Sequence, residues 1–207
     1  FNVEMLWDDM YHLTRSRFGA REFTIEAISG IDIALWDIIG KAMKVPTWKL
    51  LGGCCHEQVD AYASSLTPWK DRSLDKTVEH AVRLVERGFK KIKIKIGRIW
   101  KQDVPAVTAI RDAVGYDIDL MVDANCMYLN LGNALKFGRK FEKCEVAFYE
   151  EPLYPDDIDG YVKLANALDM PIAAGECHHG RHEFGELITR GAIDVAQPDI
   201  AVSGGLT

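Results

Sequence analysis

Five charged residues recur at a nearly constant interval: Lys95, Asp123, Glu150, Glu176 and Asp199 lie 28, 27, 26 and 23 residues apart. Each stands at or just past the end of a short apolar run. Three of them, Asp123, Glu150 and Glu176, are carboxylates on consecutive runs. Oxygen donors without His or Cys suit a hard divalent cation, which points to Mg²⁺ rather than Zn²⁺. Helix caps and rim salt bridges explain a single acidic residue at such a place, but three in step need a shared purpose. Glu151, beside Glu150, is expected to face away by strand alternation and to pair locally.

The run Lys91-Ile92-Lys93-Ile94-Lys95-Ile96 alternates strictly, so its lysines share one face of a strand and its isoleucines the other. In an antiparallel sheet the lysine face would simply meet water. Beside parallel strands covered by helices, the isoleucines belong under the helix layer and the lysines point inward. Buried ammonium groups need partners, and carboxylates on the next strands supply them. Lys93 and Lys95 are therefore candidate functional residues, and Lys91, at the strand's beginning, a structural one.

The elements that position these residues follow from the apolar pattern. From Ile25 to Met43 apolar residues fall at Ile28, Ile31, Leu35, Ile38 and Ala42, the spacing of an amphipathic helix. Thr24 is the expected N-cap and Pro46 the stop. After residue 57, strands alternate with helices. Strands are expected at 59–63, 91–96, 120–123, 146–150, 171–175 and 194–198. Helices are expected at 74–87, 104–114, 131–143, 158–168 and 183–190. Repeated strand–helix units of this length predict a parallel sheet. No Gly-x-Gly-x-x-Gly and no Walker-type loop follows any strand, so a nucleotide-binding doubly wound sheet lacks its signature. The expected fold is α/β: six units of a (β/α)8 barrel over 58–207, preceded by the helical end of a capping domain over 1–57. In such a barrel the C-terminal strand ends converge on one mouth, where active sites are built.

Composition narrows the partners. The 207 residues carry 25 Lys and Arg against 31 Asp and Glu, a net charge of −6, so no basic field favours nucleic acid or an anionic membrane. No apolar run approaches the roughly 20 residues of a membrane-spanning helix. Five cysteines without a Cys-x-x-Cys read as reduced thiols in a cytoplasmic protein. His178 and His179 follow Glu176 after one intervening residue, Cys177, and exposure is the default for loop histidines of this kind. His12, His56, His80 and His182 are expected at the surface. Trp69 and Trp100 either line the mouth or pack in the core.

At these residues the sequence resembles the mandelate racemase/muconate lactonizing enzyme family of the enolase superfamily. The segment from Ala27 to Lys41, with Pro46 and Leu50-Leu51-Gly52, is similar to the signature at the end of that family's capping domain. Lys93-Ile94-Lys95 resembles its Lys-x-Lys motif. Val122-Asp123-Ala124-Asn125, Glu150-Glu151-Pro152 and Gly175-Glu176 resemble its three metal-ligand motifs. Gln197-Pro198-Asp199 resembles the segment whose Asp pairs with a His one strand further on in the racemase and sugar-acid dehydratase branch. Thr47 and Tyr149 stand where the family more often has aliphatic residues.

The resemblance implies abstraction of the proton α to a carboxylate through an enediolate, with Mg²⁺ and a Lys or His base. That chemistry is known for the superfamily and is not read from this sequence. It casts Lys95 as base, and Lys93 as a group that binds the substrate carboxylate and makes Lys95 the better base. Asn125 becomes a substrate contact, and Asp199 the residue that orients a His on the opposite face. The leading reading is dehydration of an acid sugar. A racemase or epimerase uses the same residues, and a catalytically silent barrel subunit is the third reading. A small carboxylate as partner and a homo-oligomeric enzyme are the corresponding expectations. With no initiator Met and two barrel units unaccounted for, the chain is also expected to be a segment of a longer polypeptide, poorly soluble on its own because of its open sheet edges.

Overall fold

The computed structural model describes residues 2–18, 22–71 and 73–207. It divides into two units. One comprises the chain up to Val59 together with Gly175–Glu186 and Gln197–Thr207; the other comprises Asp60–Ala174 and Leu187–Ala196.

In the first unit α1 (Val3–Phe18) and α2 (Phe23–Met43) pack on each other, and α3 (Thr47–Leu50) follows. Helix α2 begins two residues ahead of the expected start. Its N-cap is Glu22, without a side-chain cap bond, and Thr24 lies inside the first turn. It ends as expected before Pro46, with Lys44 in the left-handed conformation and its N–H bonded to Gly40 and Lys41 carbonyls. The buried face differs from the apolar stripe read from the sequence. Ile25, Ile28, Ser29 and Asp32 are buried, whereas Ile31 and Ile38 are 48% and 49% exposed. The positions i, i+3, i+4 and i+7 still form one stripe. Two of its members are polar because what they cover is backbone, not a greasy surface.

The second unit holds β1 (Ala63–Leu66), α4 (Pro68–Asp71), α5 (Leu74–Glu86), β2 (Lys91–Lys95), α6 (Trp100–Val114), β3 (Asp119–Asp123), α7 (Leu131–Phe141), β4 (Val146–Glu150), α8 (Ile158–Ala165), β5 (Ile172–Ala174) and β6 (Val195–Ala196), while α9 (Gly180–Thr189) straddles the two units. The six strands pair in chain order, every pair parallel. This is the sequential order of a (β/α)8 barrel with six units present. Ile92, Ile94, Leu120, Val122 and Ile172 are fully buried in one continuous core with the helices. Ser73, Asn130 and Asp157 cap α5, α7 and α8 through their side chains, each cap adding about 1 kcal/mol.

The starts of β1 and α6 lie furthest from expectation. Strand β1 begins at Ala63, because pairing with β2 starts at Ala63↔Ile92; Val59, placed in this strand by its β-branched side chain, is 84% exposed. Helix α6 starts four residues early, at Trp100, whose ring packs on Tyr128 and Phe137 with centroids 5.8 and 6.0 Å away. Trp100 is thus a core-packing residue. No helix among the described residues is long and apolar enough to cross a membrane.

Tyr149 is fully buried against Tyr128 and Phe141, and its hydroxyl has no hydrogen-bond partner among the described residues. An unsatisfied buried hydroxyl costs about 1–3 kcal/mol. Tyr149→Phe is therefore expected to raise the melting temperature, read by calorimetry, with no change in metal binding. A lower melting temperature would contradict the orphaned hydroxyl.

Candidate active site

Parallel register sets the site. Lys95 stands opposite Asp123, and Asp123 opposite Glu150, at the C-terminal ends of β2, β3 and β4. Asp123 is fully buried, Glu150 is 2% exposed and Lys93 6%. The Lys93 ammonium donates to Glu150 Oε2 at 2.6 Å and lies 3.3 Å from Asp123 Oδ2. Lys95 donates to the same Asp123 Oδ2 at 2.5 Å. Asp123 Oδ1 accepts the backbone N–H of Asn125 at 3.0 Å. Two ammonium groups thus meet two carboxylates, the arrangement that buried charges require.

Burial works against the charge on Lys93, but the Glu150 hydrogen bond and the charges of Asp123 and Glu150 outweigh it and hold the ammonium above the ordinary lysine value. Its ammonium also lies 5.3 Å from the centroid of the Tyr62 ring, a cation–π contact. Lys95, with 28% of its side chain exposed, is the more accessible of the two clustered lysines. Lys91 pairs with Asp60 at 3.4 Å, away from this cluster, in keeping with a structural role.

Asn125 is exposed, with φ 40°, a left-handed conformation that Asn tolerates better than most residues. Glu151 departs from expectation. It is 2% exposed and has φ 41°, so the strand geometry that would turn it away ends at Glu150.

Glu176 and Asp199 belong to the first unit. Glu176 follows β5 and is exposed. Asp199 is exposed, and its Oδ1 accepts the N–H of Ala201 at 2.8 Å, closing a turn. His178, expected at the surface, is buried, its ring 6.1 Å from that of Phe184. His12, His56 and His182 are exposed.

How the loop after Lys95 is held has no direct sign in the residue pattern. Asp103 accepts the N–H of Gly97 at 3.0 Å and the hydroxyl of Tyr128 at 2.8 Å. Burial raises the Asp103 carboxyl above its ordinary value, with those two hydrogen bonds opposing it. Gly97 has φ 87°, and a Cβ there would lie 2.9 Å from the Ala124 carbonyl oxygen. Only glycine lets the chain after Lys95 pack directly on the residue after Asp123. A buried Asp facing a Tyr from the next βα unit would have been the sequence signal, but nothing in spacing pairs Asp103 with Tyr128.

The donor set fits a hard divalent cation. Asp123 and Glu150 present carboxylate oxygens from adjacent strands, the hard oxygen donors that such a cation takes.

Family models place both parts of the chain. The mandelate racemase/muconate lactonizing enzyme N-terminal domain matches residues 1–52, and the domain described as enolase C-terminal domain-like matches residues 76–207. The chain belongs to the mandelate racemase/muconate lactonizing enzyme family of the enolase superfamily. Among its relatives, arabinonate dehydratase of Saccharolobus solfataricus is 41% identical over 99% of the chain and 54% of the relative. The crystal structure of 3,6-anhydro-D-galactonate cycloisomerase from Zobellia galactanivorans superposes with a TM-score of 0.90 at 37% identity, covering 98% of this chain and 56% of that one. A racemase from Streptomyces coelicolor A3(2) with bound magnesium gives 0.89 at 32% identity, covering 99% and 56%. The chain spans about half the length of the relatives it matches.

Proposed function

We propose that this member of the mandelate racemase/muconate lactonizing enzyme family serves an Mg²⁺-dependent acid-sugar dehydratase that works by removing the proton α to a carboxylate. The observation that carries the reading is the buried cluster in which Lys93 and Lys95 meet Asp123 and Glu150 on three adjacent strand ends. Packing alone gives no reason to bury four charges there, since an apolar set of similar volume would be at least as stable.

Asp123, Glu150 and Glu176 would hold the cation. When bound, Mg²⁺ supplies positive charge where the substrate carboxylate gathers negative charge. Lys95 Nζ takes the α-proton, and the C–H electron pair passes into the carboxylate as an enediolate. Lys93, fixed as an ammonium, pairs with the substrate carboxylate and stabilises the negative charge that gathers there as the enediolate forms. Asn125 donates to a substrate hydroxyl. Asp199 orients a His on the opposite face, which protonates the β-hydroxyl as the C–O bond breaks and water leaves. The resulting enol tautomerises to a 2-keto-3-deoxy acid. The enzyme acts as a cytoplasmic homo-oligomer on a small carboxylate. The five cysteines form no disulfide among the described residues, in keeping with a reducing compartment, and Ile31 and Ile38 give α2 an exposed apolar row for a further contact.

The test is a screen of aldonic and aldaric acids with the full-length gene product and Mg²⁺, detecting 2-keto-3-deoxy products. A keto product is the expected result. Inversion at the α-carbon without dehydration would assign a racemase or epimerase instead. Neither outcome across the panel would leave a silent barrel and overturn the reading.

A further inference from the structure

The polar face of α2 grips the segment after β6 by its backbone. Ser29 Oγ accepts the N–H of Gly204 at 2.9 Å, and the Trp7 indole N–H donates to the Gly204 carbonyl at 2.6 Å. Fully buried Asp32 does most of the holding. Its Oδ2 accepts the N–H groups of Leu206 and Thr207 at 2.6 and 3.1 Å, and its Oδ1 accepts the Thr207 hydroxyl at 2.6 Å. The approach is close enough that a Cβ on Gly205, which has φ 99°, would clash with Asp32 Oδ2. The other end of the same segment is the turn closed by Asp199. The Asp199 carbonyl accepts the N–H groups of Val202 and Ser203 at 2.9 and 2.7 Å, and Gly205 donates to the Ile200 carbonyl at 3.1 Å. Hydrogen bonds from the Asp32 carboxylate to the backbone, and backbone bonds within the segment, therefore link Asp32 to Asp199.

Adhesion between the helix pair and this segment needs only an apolar side chain. A carboxyl that gathers three donors from two consecutive residues does something narrower, because it fixes where the backbone stands. We propose that Asp32 is a positioning residue: through the segment ending at Thr207 it sets the place of Asp199. It thereby governs the proton transfer that Asp199 serves and leaves the transfer at Lys95 alone. The proposal rests on the functional reading above, which puts those two transfers on opposite faces of the substrate.

The experiment compares two rates in the full-length gene product with Mg²⁺ and the acid sugar found by the screen. One is exchange of the α-proton with solvent deuterium, the other formation of the keto acid. Asp32→Leu keeps the volume and loses every acceptor. It is expected to slow product formation by about 100-fold, the effect of a displacement of roughly 1 Å at a reacting group, while exchange at the Lys95 face persists. Asp32→Asn can turn its carbonyl oxygen to the two backbone N–H groups and its amide to the Thr207 oxygen, so it is expected to restore most of the rate. Thr207→Val removes one of the three bonds and is expected to give a smaller loss in the same direction. Should Asp32→Leu fail to fold, the Asn and Val variants decide the matter. Parallel loss of both rates in folded variants, or no loss in either, overturns the proposal. A wild-type protein that performs neither reaction overturns the functional reading first, and this inference with it.

Discussion

Lys95→Ala is expected to abolish exchange of the substrate α-proton with solvent deuterium from the face this lysine serves, while Mg²⁺ stays bound. A positioned general base contributes about 10²–10⁴-fold, and the variant should fall by at least that. Geometry decides between the two lysines of the motif. Lys93 is held between Glu150 and Asp123 and is almost entirely buried, whereas Lys95 has a single carboxylate partner and an exposed flank. A group that must leave its partner to collect a proton needs that freedom. Lys95→Arg sharpens the test, since a guanidinium can keep the ion pair with Asp123 but does not deprotonate in proteins. The Arg variant should fold with wild-type stability and still fail to exchange. Undiminished exchange in the Ala variant would show that another group is the base.

Much of this site was legible because strand alternation and strand spacing are rigid rules. A period of two puts Lys93 and Lys95 on one face, and an interval near one βα unit puts Asp123 beside Lys95 and Glu150 beside Asp123, as the observed register has it. The charge pairing then follows from the cost of burying unpaired ions. The side-chain caps at Ser73, Asn130 and Asp157 stand directly ahead of the expected helix starts at 74, 131 and 158. The family resemblance read from the same motifs is matched by the family models over both parts of the chain.

What the sequence concealed depends on contacts between residues far apart in the chain. The apolar periodicity of α2 pointed to Ile31 and Ile38, yet the helix buries Ser29 and Asp32 because the groups they meet are N–H donors near residue 204 and beyond. No rule of hydrophobic patterning sees that. Arg111 is a second case. Its guanidinium, buried in α6, binds the carbonyls of Gly115, Ile118, Cys144 and Glu145, joining the chain just ahead of β3 to that just ahead of β4. In the sequence it reads as an ordinary basic residue in the last turn of a helix. Glu151 failed for a local reason, since a positive φ ends the alternation on which its outward placement depended.

Asp123→Asn is expected to weaken Mg²⁺ binding by more than about 100-fold, beyond the roughly 10–100-fold typical of changes to groups that only support a ligand, and to eliminate turnover. The wild-type carboxylate is wholly buried, and all its described bonds are to donors: two ammonium groups on Oδ2 and the Asn125 N–H on Oδ1. An amide has one acceptor oxygen for these three. Whichever way it turns, an NH₂ group faces either the two lysines or a backbone N–H. Glu150 then stands as the sole carboxylate in the described cluster against two ammonium charges, so stability should also fall, by about 3–5 kcal/mol as for one partner removed from a buried pair. The two consequences separate the roles, because calorimetric titration reads the metal and denaturant unfolding without metal reads the charge balance. Exhaustive chelation of the wild type should stop the reaction and added Mg²⁺ should restart it. Full activity after chelation, or wild-type Mg²⁺ affinity in the Asn variant, would remove Asp123 from the metal site and leave it a partner of the lysines alone.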